Sequence, residues 1–263
     1  MKTFKNLEHF FSVLNTNIKY VVLRNYETLP YQFDPAIHGD IDLLVEDLQK
    51  VVSLTNAKPI FKEPYRVAYL VSFEQGDIQF DFRYVGDNYL DRQWESQILA
   101  DRQLVSPNQP TPTTPHTLSL STKKSIDISN AGFYVMSPMN QYFSLLHHAY
   151  VQKPNLAIDY PDKLLIFAQK IGATYIDSPK YCIKQLEAFY HDNNYEFVVP
   201  SEIGLYVNWD NLKYLNKDTY KQLRWKYRFS KLTDPYKRKL YIKQILRMPV
   251  KLVNKLKSSI TMS

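Results

Sequence analysis

The stretch His38-Gly39-Asp40-Ile41-Asp42-Leu43-Leu44-Val45 reads as a β-strand with chemistry on one face. Side chains two apart on a strand project from the same side. Asp40 and Asp42 therefore stand together, while Ile41, Leu43 and Val45 are free to be buried. Two adjacent carboxylates repel each other and lose hydration. A divalent cation offsets both costs, and Mg²⁺ takes carboxylate oxygens together with substrate phosphates. Asp40 and Asp42 are thus candidate metal ligands, for Mg²⁺ or Mn²⁺. A helix- or turn-type cap beside Gly39 is the structural alternative for Asp40.

Outward from this strand, the pattern predicts a helix over 6–15, where Leu7, Phe10, Phe11 and Leu14 fall at i, i+3, i+4 and i+7. A buried strand follows over 18–23, then a connection over 24–38 containing Pro30 and Pro35. Asp47 caps a helix with Leu48, Val51, Val52 and Leu54 inward. A hairpin is expected over 66–84, turning at Glu74-Gln75-Gly76-Asp77. On its second strand Gln79, Asp81 and Arg83 share one face; Ile78, Phe80, Phe82 and Tyr84 share the other. Asp81 is a third carboxylate between apolar residues. Three carboxylates on neighbouring strands suit two metal ions that clamp an in-line phosphoryl displacement. Asp81 is then either the acceptor of an attacking hydroxyl's proton or a shared ligand. A salt bridge to Arg83 or Arg66 is its structural alternative.

A helix is expected over 91–103, with Trp94, Ile98 and Leu99 inward. Residues 106–130 are rich in proline, threonine and serine, and read as a long surface loop, a lid or an insertion. Ser137-Pro138 starts the next helix, with Met139, Tyr142, Phe143, Leu146 and Tyr150 on one face and Pro154 as its stop. Helices near 161–171 and 179–191 and a short extended piece over 194–207 complete the pattern. The expectation is an α+β fold. It comprises an α/β module over 1–105, the loop over 106–130, a mostly helical module over 131–220 and a basic amphipathic tail over 221–263.

Other polar residues carry weaker signals. By helical angle His147 flanks the apolar face and His148 points away from it; both read as satisfied or surface histidines, with substrate contact as the alternative. Lys153 at the helix end compensates the helix dipole or reaches a substrate phosphate. Arg83 is a candidate partner for phosphate or carboxylate. Asp87 and Tyr89 have no role derivable from the sequence. Cys182 reads as an inert small hydrophobe.

Composition removes several classes. Among 263 residues there are six glycines, no two within five positions of each other. That excludes the G-x-G-x-x-G dinucleotide turn and the G-x-x-x-x-G-K phosphate loop, which need clustered glycines for backbone approach. One cysteine excludes an internal disulfide and a Cys-rich zinc site. No apolar run approaches the ~20 residues of a membrane-spanning helix. With no apolar leader either, a cytoplasmic setting is expected.

The net charge of +7 is uneven. From Lys221 onward there are 13 basic residues and one acid, 13 − 1 = +12, leaving 20 − 25 = −5 for the first 220 residues. Tyr241, Ile242, Ile245, Leu246, Pro249, Val253, Leu256 and Ile260 recur at roughly helical spacing among Lys243, Arg247, Lys251, Lys255 and Lys257. Pro249 interrupts that helix. A basic amphipathic tail suits an anionic membrane surface, here the inner face of the membrane. Packing on the acidic body, docking on a partner and a solvated tail are the alternatives. Trp225, Tyr227 and Phe229 interleave with Arg224, Lys226 and Arg228, as either a stacking platform for single strands or an interfacial anchor. Charge confined to one end is not the pattern of a nucleic-acid-binding domain.

The segments YVVLRNYETLP (20–30), HGDIDLLVED (38–47), DFRYVGDNYLD (81–91) and FSLLHHAYVQK (143–153) together resemble the nucleotidyltransferase superfamily with the polymerase-β-like fold. Within it they look most like the nucleotidyltransferase-like proteins of bacterial surface-polysaccharide gene clusters. The resemblance covers roughly residues 1–210. It implies a mixed sheet with flanking helices, metal at Asp40, Asp42 and Asp81, and a nucleotide or phosphorylated small molecule as donor. The acceptor would be a sugar, a polyol or a lipid-linked group. It also implies nucleotide or phosphate contacts from the loop after the first strand, here Arg24 and Asn25. The superfamily usually has Gly-Gly or Gly-Ser there; this chain has Leu23-Arg24-Asn25-Tyr26. A guanidinium fork from Arg24 would replace backbone donors on phosphate, with Asn25 in the small-residue position. Two rivals stand beside this reading. One is an Asp-x-Asp glycosyltransferase using a nucleotide sugar and Mn²⁺, although the strand here continues through Leu43-Leu44-Val45. The other is a non-catalytic nucleotide- or partner-binding module.

Overall fold

The computed structural model describes residues 3–27, 29–30, 33, 39–105, 132–202 and 205–243. His38, the whole loop expected over 106–130, and the tail beyond 243 lie outside them. The chain forms two compact units, Met1–Leu215 and Asn216–Ser263.

The first unit is α+β. Its seven strands are β1 (Tyr20–Val22), β2 (Ile41–Val45), β3 (Lys58–Pro59), β4 (Ala68–Phe73), β5 (Gly76–Tyr84), β6 (Gln103–Val105) and β7 (Phe133–Val135). They form one mixed sheet in the order β3-β4-β5-β2-β1-β7-β6. The β2–β5 and β1–β7 pairs are parallel and the others antiparallel.

Helix α1 (Leu7–Asn17) begins where the Asn6 side chain accepts a hydrogen bond from the His9 amide, and Leu7, Phe10, Phe11 and Leu14 are buried, as their spacing predicts. Asp47 caps α2 (Leu48–Thr55) in the same way, through the Lys50 amide. These helices cover one sheet face. The core there joins Phe10 and Phe11 to Val22, Ile41, Leu43, Val45, Phe80, Phe82 and Phe133. The Phe10 and Phe80 rings lie 4.6 Å apart, and Phe80 and Phe82 5.6 Å. The hairpin turns on Glu74-Gln75 alone, because Phe73 already pairs with Gly76, whose φ of 129° suits only glycine.

On the other face, α3 (Arg92–Ala100) packs against β1 and β2. Asp91 caps it through the amides of Gln93 and Trp94. Trp94 Nε1 donates to Asn140 Oδ1 at 2.9 Å, which ties α3 to α4 (Pro138–Val151). Helices α5 (Tyr160–Lys170) and α6 (Pro179–Asp192) flank α4, and the short α7 (Trp209–Leu212) contacts both α4 and α6.

Several expectations are corrected. The helix expected over 91–103 stops at Ala100, and Gln103 enters edge strand β6 by pairing with Val135. Strand β7 lies beyond the 106–130 segment yet sits beside β1, so residues on both sides of that segment build one sheet. The division at 105 and 131 is therefore not a division of compact units. Gly132 approaches β6 so closely that any β-carbon would strike the Val105 carbonyl. Helix α4 is buried nearly all round instead of on one face, and Met139, expected inward, is exposed. Strands β3, β6 and β7 are too short for periodicity to reveal. The described residues of 194–207 form no regular strand.

The second unit contains α8 (Lys217–Thr233), capped by Asn216, followed by a helical stretch at 235–243. Among the described residues no helix is long and apolar enough to cross a membrane.

Phe80→Ala removes a fully buried ring from the core centre and is expected to cost about 3–5 kcal/mol in urea unfolding. Met139→Ala should change stability by less than about 0.5 kcal/mol. Equal effects would contradict this packing.

Candidate functional site

The parallel pairing of β2 with β5 sets Asp42 directly opposite Asp81. Their neighbours Ile41, Leu43, Phe80 and Phe82 point to the α1 core. The two carboxylates therefore point to the other face. Gly39, at φ 69°, turns the chain just before Asp40, which stands on the same side two residues ahead of Asp42. Carboxylate oxygens of Asp40, Asp42 and Asp81 all lie within 4.8 Å of one another, and all three residues are half-buried. Asp40 lies outside any helix and caps none of the described ones.

Electrostatics follow from this crowding. Burial and the charge of Asp42 push the Asp40 carboxyl up to about 6, with Arg24, Lys153 and Arg83 pulling the other way. Burial and the charges of Asp42 and Asp40 push Asp81 up to about 7, against the pull of Arg83. Asp81 Oδ1 is buried with no hydrogen-bond partner among the described residues. Three oxygen donors in reach of each other, one carrying an unsatisfied oxygen, fit a hard divalent cation such as Mg²⁺.

Arg24 lies just after β1. Its guanidinium is 2.8 Å from Asp42 Oδ2 and donates to the Tyr89 hydroxyl at 2.6 Å. Burial opposes its charge, but Asp42 and Tyr89 outweigh burial and raise its pKa. The Tyr89 hydroxyl lies 3.1 Å from His148 Nδ1, which is also 3.1 Å from Gln152 Oε1. Gln152 Nε2 returns to the Tyr89 carbonyl at 3.0 Å. His148, expected to point away from the apolar face, is buried and joins this chain of contacts. Burial, with Arg24 and Lys153 adding to it, lowers its pKa well below the ordinary value, so it is neutral. His147 is buried too, lowered by burial to about 3, and stacks on Tyr190 without approaching the carboxylates.

The remaining candidates divide. Asn25 adopts φ 54° after β1, the left-handed conformation for which glycine is favoured, and its Oδ1 accepts from Lys163 Nζ at 2.8 Å. Arg83 is committed elsewhere: it pairs with Glu202 at 2.7 Å and lies 3.7 Å from Asp87. It therefore neither bridges Asp81 nor offers a free fork to phosphate. Arg66 lies 3.7 Å from Glu202 as well, which leaves Asp81 without either arginine as ion-pair partner. Lys153 is exposed, and its charge acts on Asp40. Cys182 is fully buried, as a small hydrophobe should be. Tyr89 and Gln152 lie in the segments 81–91 and 143–153, but sequence reasoning gave neither a role and missed Glu202. The contacts of Tyr89 with Arg24, His148 and Gln152, and of Glu202 with Arg83, join residues distant in the chain.

Behind this site, Glu95 accepts from the Gly86 and Leu90 amides and lies beside Asp87. Burial, with Asp87 adding to it, raises the Glu95 carboxyl above its ordinary value.

No family model matches the chain, and neither a curated protein nor a solved structure matches it.

The raised values of Asp40 and Asp81 mean that the unfolded chain gives up these protons at lower pH than the folded one. The associated stability is present below the ordinary carboxylate range and is lost as pH rises through about 6 to 7. Asp81→Asn is therefore expected to raise the melting temperature by about 2–4 °C near pH 8 without divalent cations, and to raise it less near pH 5. Millimolar Mg²⁺ should raise the melting temperature of the unaltered chain near pH 8 and not that of the variant. Scanning calorimetry checks both; a pH-independent difference would contradict the repulsion.

Proposed function

We propose that the chain transfers a nucleotidyl or phosphoryl group from a nucleotide or phosphorylated small molecule to a hydroxyl of a sugar, polyol or lipid-linked acceptor. The setting we infer is the cytoplasmic side of bacterial surface-polysaccharide assembly, peripheral to the membrane. The observation that carries the reading is the register of Asp42 with Asp81, with Asp40 in reach of both. In this reading β1, β2 and β5 are core strands of a polymerase-β-like nucleotidyltransferase sheet.

Asp40, Asp42 and Asp81 hold Mg²⁺, with Mn²⁺ as substitute; when bound, the cation neutralises charge on the phosphoryl oxygens. The acceptor oxygen forms the new P–O bond, the P–O bond to the donor's leaving group breaks, and the hydroxyl proton goes to Asp81 or to solvent beside it. Arg24 offers a planar fork whose present carboxylate partner can be exchanged for a phosphate. Tyr89, His148 and Gln152 hold that fork in place. Lys153 adds positive charge on the Asp40 side.

One observation favours a second reading, a non-catalytic nucleotide-binding module. Arg24 already neutralises Asp42, and Asn25 with its bound lysine stands where the superfamily presents a glycine-rich phosphate turn.

A donor-and-acceptor screen with Mg²⁺ tests both. We expect turnover that falls by about 10²-fold or more in Asp42→Asn and Asp81→Asn, and a donor KM about tenfold higher in Arg24→Gln. Calorimetric binding of nucleotide and Mg²⁺ without product across the screen would favour the second reading. Release of a nucleoside diphosphate from a nucleotide sugar, with the sugar joined to the acceptor, would point to glycosyl transfer.

A further inference from the structure

The C-terminal unit carries 14 basic and two acidic residues, 14 − 2 = +12. Both acids serve helix starts: Asp218 lies in the first turn of α8, and Asp234 accepts from the amides of Tyr236 and Lys237. On α8, Trp225, Phe229 and Leu232 fall at i, i+4 and i+7, which sets them on one face. They are 63%, 49% and 54% exposed. The Trp225 and Phe229 rings stack at 4.9 Å and 10°. Lys221, Arg224 and Arg228 are exposed and flank this stripe. Ile242, in the following helical stretch, is 50% exposed. Large apolar groups held in water beside a row of cations have the composition of an interfacial helix.

We propose that this face seats the chain on an anionic phospholipid bilayer, with α8 lying along the surface. The apolar stripe enters the headgroup boundary, where a tryptophan ring is favoured, and the flanking cations meet lipid phosphates. The charge of the unit argues for this occupant over a second copy, because two faces of like sign repel. Leu232 and Ile242 have no ring to stack on a base, and Trp225 and Phe229 occupy one face of each other, which argues against a single-stranded nucleic acid. The inference is independent of the transfer chemistry.

The test is co-sedimentation of the full chain with vesicles of phosphatidylglycerol and phosphatidylcholine, and of phosphatidylcholine alone, near physiological salt. Binding is expected to the anionic vesicles, with a blue shift of tryptophan emission that is absent in Trp225→Phe. The double variant W225A/F229A should weaken binding about tenfold or more, and R224Q/R228Q should weaken it too. Both variants should melt within about 2–4 °C of the unaltered chain, since what they lose is surface contacts, the Trp225–Phe229 stack and the Arg224–Tyr220 hydrogen bond. Vesicle binding within about twofold of the unaltered chain in W225A/F229A would overturn the proposal. So would equal binding to neutral vesicles. Tighter binding to a single-stranded oligonucleotide, or dimerisation in sedimentation lost in the same variant, would assign the face to those occupants instead.

Discussion

The parallel ladder between β2 and β5 carries two demands at once. Two of its pairs, Ile41 with Phe80 and Leu43 with Phe82, fill the aromatic core under α1. The pair between them, Asp42 with Asp81, is thereby forced to the opposite face with its carboxylates side by side. A slip of one residue in one strand would send an aspartate into the core and a leucine or phenylalanine into the site. The hydrophobic effect on one face thus fixes an electrostatic arrangement on the other. No separate device is needed to hold the repelling carboxylates together, because separating them would unpack the Phe10–Phe80–Phe82 cluster.

The repulsion is only partly relieved. Arg24 answers Asp42, while among the described residues Asp81 keeps a buried oxygen without a partner and Asp40 is helped through space by Arg24, Lys153 and Arg83. Arg24 itself is held from behind by Tyr89, which His148 and Gln152 fix from helix α4. Tyr89 is therefore one point where the strand side and the helical layer meet, and the Lys163–Asn25 contact is another. Arg83, which the strand pattern puts on the same face, is spent on Glu202 and Asp87 and serves to hold the segment after β5 in place.

The two units differ in physical character. The first unit has 19 basic and 24 acidic residues, 19 − 24 = −5, and packs a large apolar core against a sheet, with scattered exposed apolar side chains such as Ile158. The second has +12 and leaves three large apolar side chains of one helix in water. Charge of one sign keeps such a surface from self-association, so an exposed stripe is tolerable there where it would be an aggregation hazard on a neutral domain.

Local rules were enough for much of this. The apolar face of helix α1, α2 with its Asp47 cap, the β4–β5 hairpin, and the strand faces on which Asp42 and Asp81 each stand followed from spacing and capping, because neighbours in the chain decide them. Tertiary structure alone decided the rest. Strand β7 is three residues long and gains its place only by pairing with β1 and β6. The burial of His148 depends on helix α4 being covered on all sides, which its own apolar stripe does not announce. The partners of Arg24 and Arg83 come from residues 65 and 119 positions away, Tyr89 and Glu202. Periodicity reports which way a side chain faces; which partner it meets there is settled by long-range packing, and the one-dimensional pattern carries no record of it.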